Sequence, residues 1–215
     1  MTDYTDDLRR FWSMPSFEQA RDERVTVPAA PEAYNDSHQD RALTEVLGGI
    51  RIFPGQTILD YGCGVGRVSR AVLLRQARVV AADVSPKMLE YSRQYCEGLT
   101  GLETYLTDGF GCADLPATSV DGAISLYCFQ HMPTLAMVEA VARDIHRLLV
   151  PGGWFVFQFT DHGQDQTDGS VGFTGVRLTA EITLPLVENV GFALLGMTHS
   201  DSLPRQYVVR LARRA

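Results

Sequence analysis

The chain has 215 residues, of which 45% are hydrophobic and 21% charged, and its formal net charge is −7. That length suggests one full domain, long enough to bury a core without disulfide or metal staples. The acidic balance argues against a duplex or RNA binder, which needs a basic footprint to neutralise phosphates; the basic tail Arg210, Arg213 and Arg214 reads as a solvated end.

Residues 1–35 are polar and irregular, with Tyr4, Phe11, Trp12, Phe17 and Tyr34 set among Pro15, Pro28 and Pro31. This spacing predicts a segment that wraps over or against the rest of the chain. The domain proper is expected over 36–215. Leu43, Val46, Leu47 and Ile50 recur at helical spacing, and Thr57–Tyr61 reads as a short buried strand. Gly62, Gly64 and Gly66 follow, then a helix with Val68, Val72 and Leu73. Arg78–Asp83 is a second strand. Ser85-Pro86 opens the next helix as N-cap and first turn, with Met88, Leu89, Ser92 and Tyr95 behind it.

Leu102–Thr107 alternates and suits an edge strand, ending at Asp108-Gly109. Gly122–Tyr127 is a further strand, followed by Cys128-Phe129-Gln130-His131-Met132-Pro133. Val138, Val141, Ile145, Leu148 and Leu149 form an apolar helical stripe that stops at Pro151-Gly152-Gly153. Trp154–Phe159 is a strand, and 161–176 is polar and glycine-rich. Thr179 caps a last helix whose interior holds Pro185, expected to bend it or delay its start. Phe192–Ser200 and Arg205–Leu211 are separated by four residues, too few for a crossover helix, so they must form a hairpin with one strand antiparallel. Alternating strands and helices predict an α/β fold: a doubly wound sheet with helices on both faces.

Four signals fall at the C-terminal ends of these strands, where ligands bind in such sheets. The first is Asp60 before the glycines. Its G-x-G-x-G spacing, followed by Arg67, departs from the G-x-G-x-x-G of dinucleotide folds. A carboxylate there repels a pyrophosphate and welcomes a cation. Asp83 can accept from both hydroxyls of a ribose; the bland reading of a helix cap is better filled by Ser85. Asp108 and Gly109 are ordinary turn formers that gain weight from lying at the same edge. Tyr127 to Pro133 brings polar and aromatic groups to that edge.

In order and spacing these segments, with Pro151-Gly152-Gly153, resemble the class I S-adenosylmethionine-dependent methyltransferases of the small-molecule branch. The likeness runs over about 36–160 and more loosely to 215. It implies a Rossmann-like seven-stranded sheet, mostly parallel with an antiparallel C-terminal strand. It further implies Asp60, Gly62, Cys63 and Gly64 around the methionine part of S-adenosyl-L-methionine, Asp83 on the ribose, and Val84 and Met88 against the adenine. Asp108 and Gly109 would meet the adenine edge, Leu126 and Tyr127 would follow the methionine tail, and residues 1–35 would act as a lid. Tyr127-Cys128-Phe129 stands where base-modifying relatives carry an Asn- or Asp-Pro-Pro-aromatic turn, which argues against nucleic acid as acceptor.

The expected reaction is direct displacement onto an oxygen or nitrogen of a small molecule, giving S-adenosyl-L-homocysteine. Candidate bases are His131 and His162, with His38 a further option from the lid. His131 reads equally as a brace for its loop. His146 reads as a helix-surface residue and His199 as a late-strand one. The competing readings are a nicotinamide-dependent oxidoreductase and a non-catalytic binding protein of the same fold. The cysteines Cys63, Cys96, Cys112 and Cys128 have neither C-x-x-C nor zinc-ligand spacing and suit free thiols of a reducing compartment. Residues 1–10 lack a signal-peptide core and no apolar run reaches the ~18 residues of a membrane span, so a cytoplasmic protein without a membrane partner is expected.

Overall fold

The computed structural model describes residues 4–13, 36–161, 175–199 and 206–214; the side chains of Ser37 and His38 are also outside the described set. In chain order the elements are α1 (Thr5–Phe11), α2 (Asp36–Leu47), β1 (Thr57–Tyr61), α3 (Arg67–Leu73), β2 (Arg78–Asp83), α4 (Pro86–Tyr95), β3 (Leu102–Leu106) and β4 (Val120–Ser125). A 3-10 turn (Phe129–His131) precedes α5 (Leu135–Leu148), β5 (Leu149–Thr160), α6 (Ala180–Val190), β6 (Phe192–His199) and β7 (Gln206–Arg213).

The seven strands form one sheet in the order β3-β2-β1-β4-β5-β7-β6. The pairs β3–β2, β2–β1, β1–β4 and β4–β5 are parallel, and β7 runs antiparallel to both β5 and β6. Strand order reverses at β1/β4, the switch point at which doubly wound sheets open a crevice. The hairpin predicted from the short 200–205 connection is present, with β7 inserted between β5 and β6.

Strand residues of alternate parity supply two cores. On one face Leu59, Tyr61, Val80, Ala82, Phe155, Phe157, Phe159 and Leu211 pack with Leu8 of α1, with Val138, Val141 and Ile145 of α5, and with Val187 of α6. On the other, Ile58, Val79, Ala81, Ile124, Val156 and Val208 pack with Leu43 and Leu47 of α2, Val72 of α3 and Leu89 of α4. Both faces of β1, β2 and β4 are therefore buried, as their continuous apolar runs require. Strand β3 is an edge strand with Leu106 exposed, in line with its alternation.

Caps set the helix starts. Ser85 Oγ accepts from Met88 N ahead of Pro86, and Thr179 Oγ1 accepts from Ile182 N. Helix α6 starts at Ala180 and runs through Pro185, so the expected delay of its start does not occur. Several boundaries differ from the sequence expectation, with β4 starting at Val120 and β7 running on to Arg213 among them. Leu149 belongs to β5, whose first residues Leu149–Gly153 precede a register shift against β4. Strand β4 ends at Ser125, whose Oγ donates to Tyr61 O (2.8 Å), and the chain then turns, with Tyr127 at φ 55°. Leu126 and Tyr127 therefore lie beyond the strand tip.

Candidate functional site

Asp60 is buried near the end of β1, with Oδ2 accepting from Ser69 Oγ of α3 at 2.6 Å. Burial pushes its carboxyl up to about 7, opposed by the Ser69 hydrogen bond and reinforced by the nearby charge of Asp83. The chain then turns through Gly62 (φ 76°), Gly64 (φ 52°) and Gly66 (φ 88°), all in the left-handed region open to glycine. Ala82 O of β2 accepts from both Gly62 N (2.8 Å) and Cys63 N (3.0 Å). A Cβ on Gly62 would stand 2.5 Å from Cys128 Sγ, and one on Gly66 would stand 2.6 Å from Ser92 Oγ. At these two positions the missing side chain makes room for the protein itself, namely the loop after β4 and helix α4. The sequence offered no sign of that use.

Gly64 N donates to Asp83 Oδ2 at 2.9 Å, and Ser85 N donates to Asp83 Oδ1 at 2.9 Å. Asp83 is 8% exposed, and burial lifts its carboxyl to about 6 against the pull of these backbone bonds. Its backbone oxygen accepts from Thr107 N at 3.0 Å, joining the ends of β2 and β3. Thr107 Oγ1 accepts from Gly109 N (3.0 Å) and donates to Gly111 O. Asp108 is exposed, with Oδ1 accepting from Phe110 N at 2.8 Å. Gly64, Asp83, Asp108 and Gly109 thus lie along one edge, linked through Thr107. Val84 O accepts from Arg9 Nε (3.3 Å), and Met88 is buried in the first turn of α4.

Helix α1 crosses this edge. Thr5 Oγ1 donates to Asp108 O (2.8 Å), and Ser85 Oγ donates to Trp12 O (3.3 Å). Leu8 Cδ1 lies 3.6 Å from where a Cβ of Gly109 would stand. The Trp12 ring meets His131 edge-on, centroids 5.1 Å apart. Beyond β4, Leu126 packs against the α2/α3 face. Tyr127 takes φ 55° and is 40% exposed, an uncommon backbone for a bulky residue. His131 sits in the 3-10 turn with its Nε2 3.3 Å from Gln130 Nε2, and Gln130 Oε1 accepts from Thr160 Oγ1 at 2.6 Å.

His162 and the His38 side chain lie outside the described residues. His146 is half-buried against Phe192 (5.0 Å between centroids) rather than a surface residue, far along the chain from this edge. Sequence reasoning missed Ser69, Thr107 and Thr160, and it reached Gln130 only as part of the polar and aromatic run after β4. Ser69 left one trace, a hydroxyl beside the apolar stripe of α3; Thr107 and Thr160 are ordinary polar residues at strand ends.

Two buried carboxylates side by side at a strand-tip turn, both with raised affinity for protons, form a site short of positive charge. That suits a ligand carrying an ammonium or sulfonium and is unfavourable for a pyrophosphate. The residues present therefore fit S-adenosylmethionine better than a nicotinamide dinucleotide.

Residues 59–157 match the family described as "Methyltransferase domain". Over 123 residues the chain is 32% identical to a demethylmenaquinone methyltransferase of Tropheryma whipplei (strain Twist), covering 56% of this chain and 47% of that protein. Over 133 residues it is 34% identical to 24-methylenesterol C-methyltransferase 2 of Arabidopsis thaliana, covering 59% of this chain and 36% of that one. The chain thus spans less than half the length of these relatives. Among solved structures, an S-adenosylmethionine-dependent methyltransferase from Mesorhizobium loti superposes with a TM-score of 0.65 at 22% identity, over 84% of this chain and 99% of that one. The match over residues 59–157 and the Rossmann-like fold support a class I S-adenosylmethionine-dependent methyltransferase domain, with S-adenosylmethionine as the cofactor they imply. Among the described residues no helix is long and apolar enough to cross a membrane.

Proposed function

We propose that the protein transfers the methyl group of S-adenosylmethionine to a small-molecule acceptor by direct displacement. The observation that carries this reading is the buried pair Asp60 and Asp83 at the Gly62–Gly66 turn, raised to about 7 and about 6. Asp83 Oδ2 accepts from Gly64 N and Oδ1 from Ser85 N, and the two oxygens of a carboxylate together offer about four acceptor sites, so the ribose hydroxyls have acceptors. Asp60, with Gly62, Cys63 and Gly64, faces the methionine part. Val84 and Met88 flank the adenine, Asp108 and Gly109 meet its edge, and Leu126 and Tyr127 follow the methionine tail. Helix α1 covers the edge of the site, and most of the rest of the lid expected over residues 1–35 lies outside the described residues.

The cofactor supplies a methyl group already activated on a sulfonium. What the chain supplies is alignment and exclusion of water, which in favourable cases is worth roughly 7–11 kcal/mol. A lone pair of the acceptor forms the new bond to the methyl carbon. The sulfur–carbon pair returns to sulfur, and an O–H or N–H acceptor releases its proton. The acceptor is an oxygen or nitrogen nucleophile in this reading. The quinone and sterol names of the relatives support a small apolar acceptor, and the sterol enzyme's name adds carbon to the atoms to be tried. The fold does not choose among them.

Calorimetric titration with S-adenosylhomocysteine is expected to show roughly micromolar binding, weakened at least about tenfold in Asp83→Ala, a loss of about 1.4 kcal/mol. Folded protein that binds no S-adenosylhomocysteine, or that binds NADH instead, overturns the reading. Transfer of labelled methyl to a panel of quinols, phenols, amines and sterols then identifies the acceptor class.

A further inference from the structure

The loop after β4 and the tip of β5 hold a polar chain that the cofactor site does not use. Thr160 Oγ1, Gln130 Oε1, Gln130 Nε2 and His131 Nε2 follow one another at 2.6 Å and 3.3 Å. The first distance fits an O–H···O bond, whose range is 2.5–3.0 Å, and is shorter than N–H···O bonds run. The Thr160 hydroxyl therefore meets the oxygen of the Gln130 amide, and the NH2 end of that amide is turned to the histidine. An amide NH2 is a donor only, so the nitrogen it faces must be an acceptor. Backbone bonds fix the frame: Gln130 O accepts from Gly175 N (2.9 Å), His131 N donates to Cys128 O (2.9 Å), and the Trp12 ring closes on the imidazole from α1.

We infer that Gln130 and Thr160 are positioning residues that hold His131 as the neutral Nδ1–H tautomer, with its Nε2 lone pair occupied. This rests on the methyl-transfer reading for its consequence but not for its test. In this tautomer Nδ1 already carries its proton and Nε2 accepts from Gln130. Protonating Nε2 would set an N–H against the amide NH2, donor to donor. His131 is therefore not the base that takes a proton from the acceptor; it is a neutral ring held between Gln130 and Trp12. Acceptors that arrive already nucleophilic, such as a phenolate, an enolate or a neutral amine, suit such a site. An alcohol that must be deprotonated as the bond forms does not.

Nitrogen-15 histidine labelling of the full chain, with long-range proton–nitrogen correlation at pH 8, reads the tautomer directly once His131→Asn has identified the signal. The expected result is a single Nδ1–H form for His131. Thr160→Val removes the group that orients the amide and is expected to give a mixture of tautomers, while Thr160→Ser retains the single form. An Nε2–H signal in the unaltered protein, or a Thr160→Val spectrum identical to it, overturns the inference. Titration with S-adenosylhomocysteine separates the two claims. Intact binding with the wrong tautomer sinks only the positioning role, and absent binding with the Nδ1–H form sinks only the methyl-transfer reading.

Discussion

At the tips of β1, β2 and β3 the chain is tied by hydrogen bonds that converge on Asp60 and Asp83, while β5 carries Phe155, Phe157 and Phe159, all fully buried. The Phe155 and Phe157 rings stack at 5.1 Å, Phe157 meets Phe129 at 4.8 Å, and Phe159 stacks on Tyr207 at 5.2 Å. One region spends free energy to keep two acids out of water; the other gains it by removing aromatic surface from water. The contrast follows from what each must do. Keeping two acids out of water costs free energy that the apolar burial elsewhere in the fold has to offset.

Substitutions that strike only one region test this division. The largest effect is expected from Phe157→Ala, which should cost about 3–5 kcal/mol by leaving a cavity within the aromatic row. Denaturant unfolding checks the loss, and the molecules that stay folded should bind S-adenosylhomocysteine as before. A binding defect matching the stability loss would mean that the two regions are not separable.

Gly62→Ala strikes the junction. The added methyl must displace Cys128 and adopt a strained φ, so a loss of roughly 1–3 kcal/mol is expected. Binding should fall further than in Phe157→Ala despite the smaller stability change. Equal binding in the two variants would remove Gly62 from the site.

A further test is pH dependence. The folded-state affinities of Asp60 and Asp83 for protons are raised above the usual carboxylate value of 3.8. The unliganded fold should therefore be most stable with both acids protonated, and should lose stability as pH rises from about 4 through about 7. Cofactor affinity should move the other way, weakening as pH falls through about 7 to 6, because a protonated acid does not attract a cation. Asp60→Asn is expected to flatten both curves, read by thermal unfolding and calorimetry from pH 4 to 8. Unchanged slopes in Asp60→Asn would assign the pH response to other groups.

The sequence showed the first region more fully than the second. Strands β1 and β2 were readable to the residue, because each is a continuous apolar run closed by an acid and a turn signal. The acids themselves were visible for the same reason: Asp60 and Asp83 interrupt an otherwise apolar code. Their partners were not. Ser69, Thr107 and Thr160 are side chains whose role depends on which strand tips become neighbours, and that is decided by long-range pairing. Strand β4 was placed two residues late because Leu126 and Tyr127 continue the apolar pattern after Ser125 has bonded to Tyr61. Likewise Leu149 completes the apolar stripe of α5 yet begins β5. Periodicity records which residues are apolar, whereas the hydrogen-bond partner decides where an element stops.

The place of β7 has a consequence for how the chain is made. Residues 206–213 fill the slot between β5 and β6, so β6 has no sheet neighbour until that later segment exists. A nascent chain leaving the ribosome N-terminus first would hold the apolar flank of β5 open, with Phe192 of β6 unplaced, while β1 to β4 are already made. Synthesis stalled before residue 206 would release a species able to engage its nucleoside yet prone to clump through an unfilled seam.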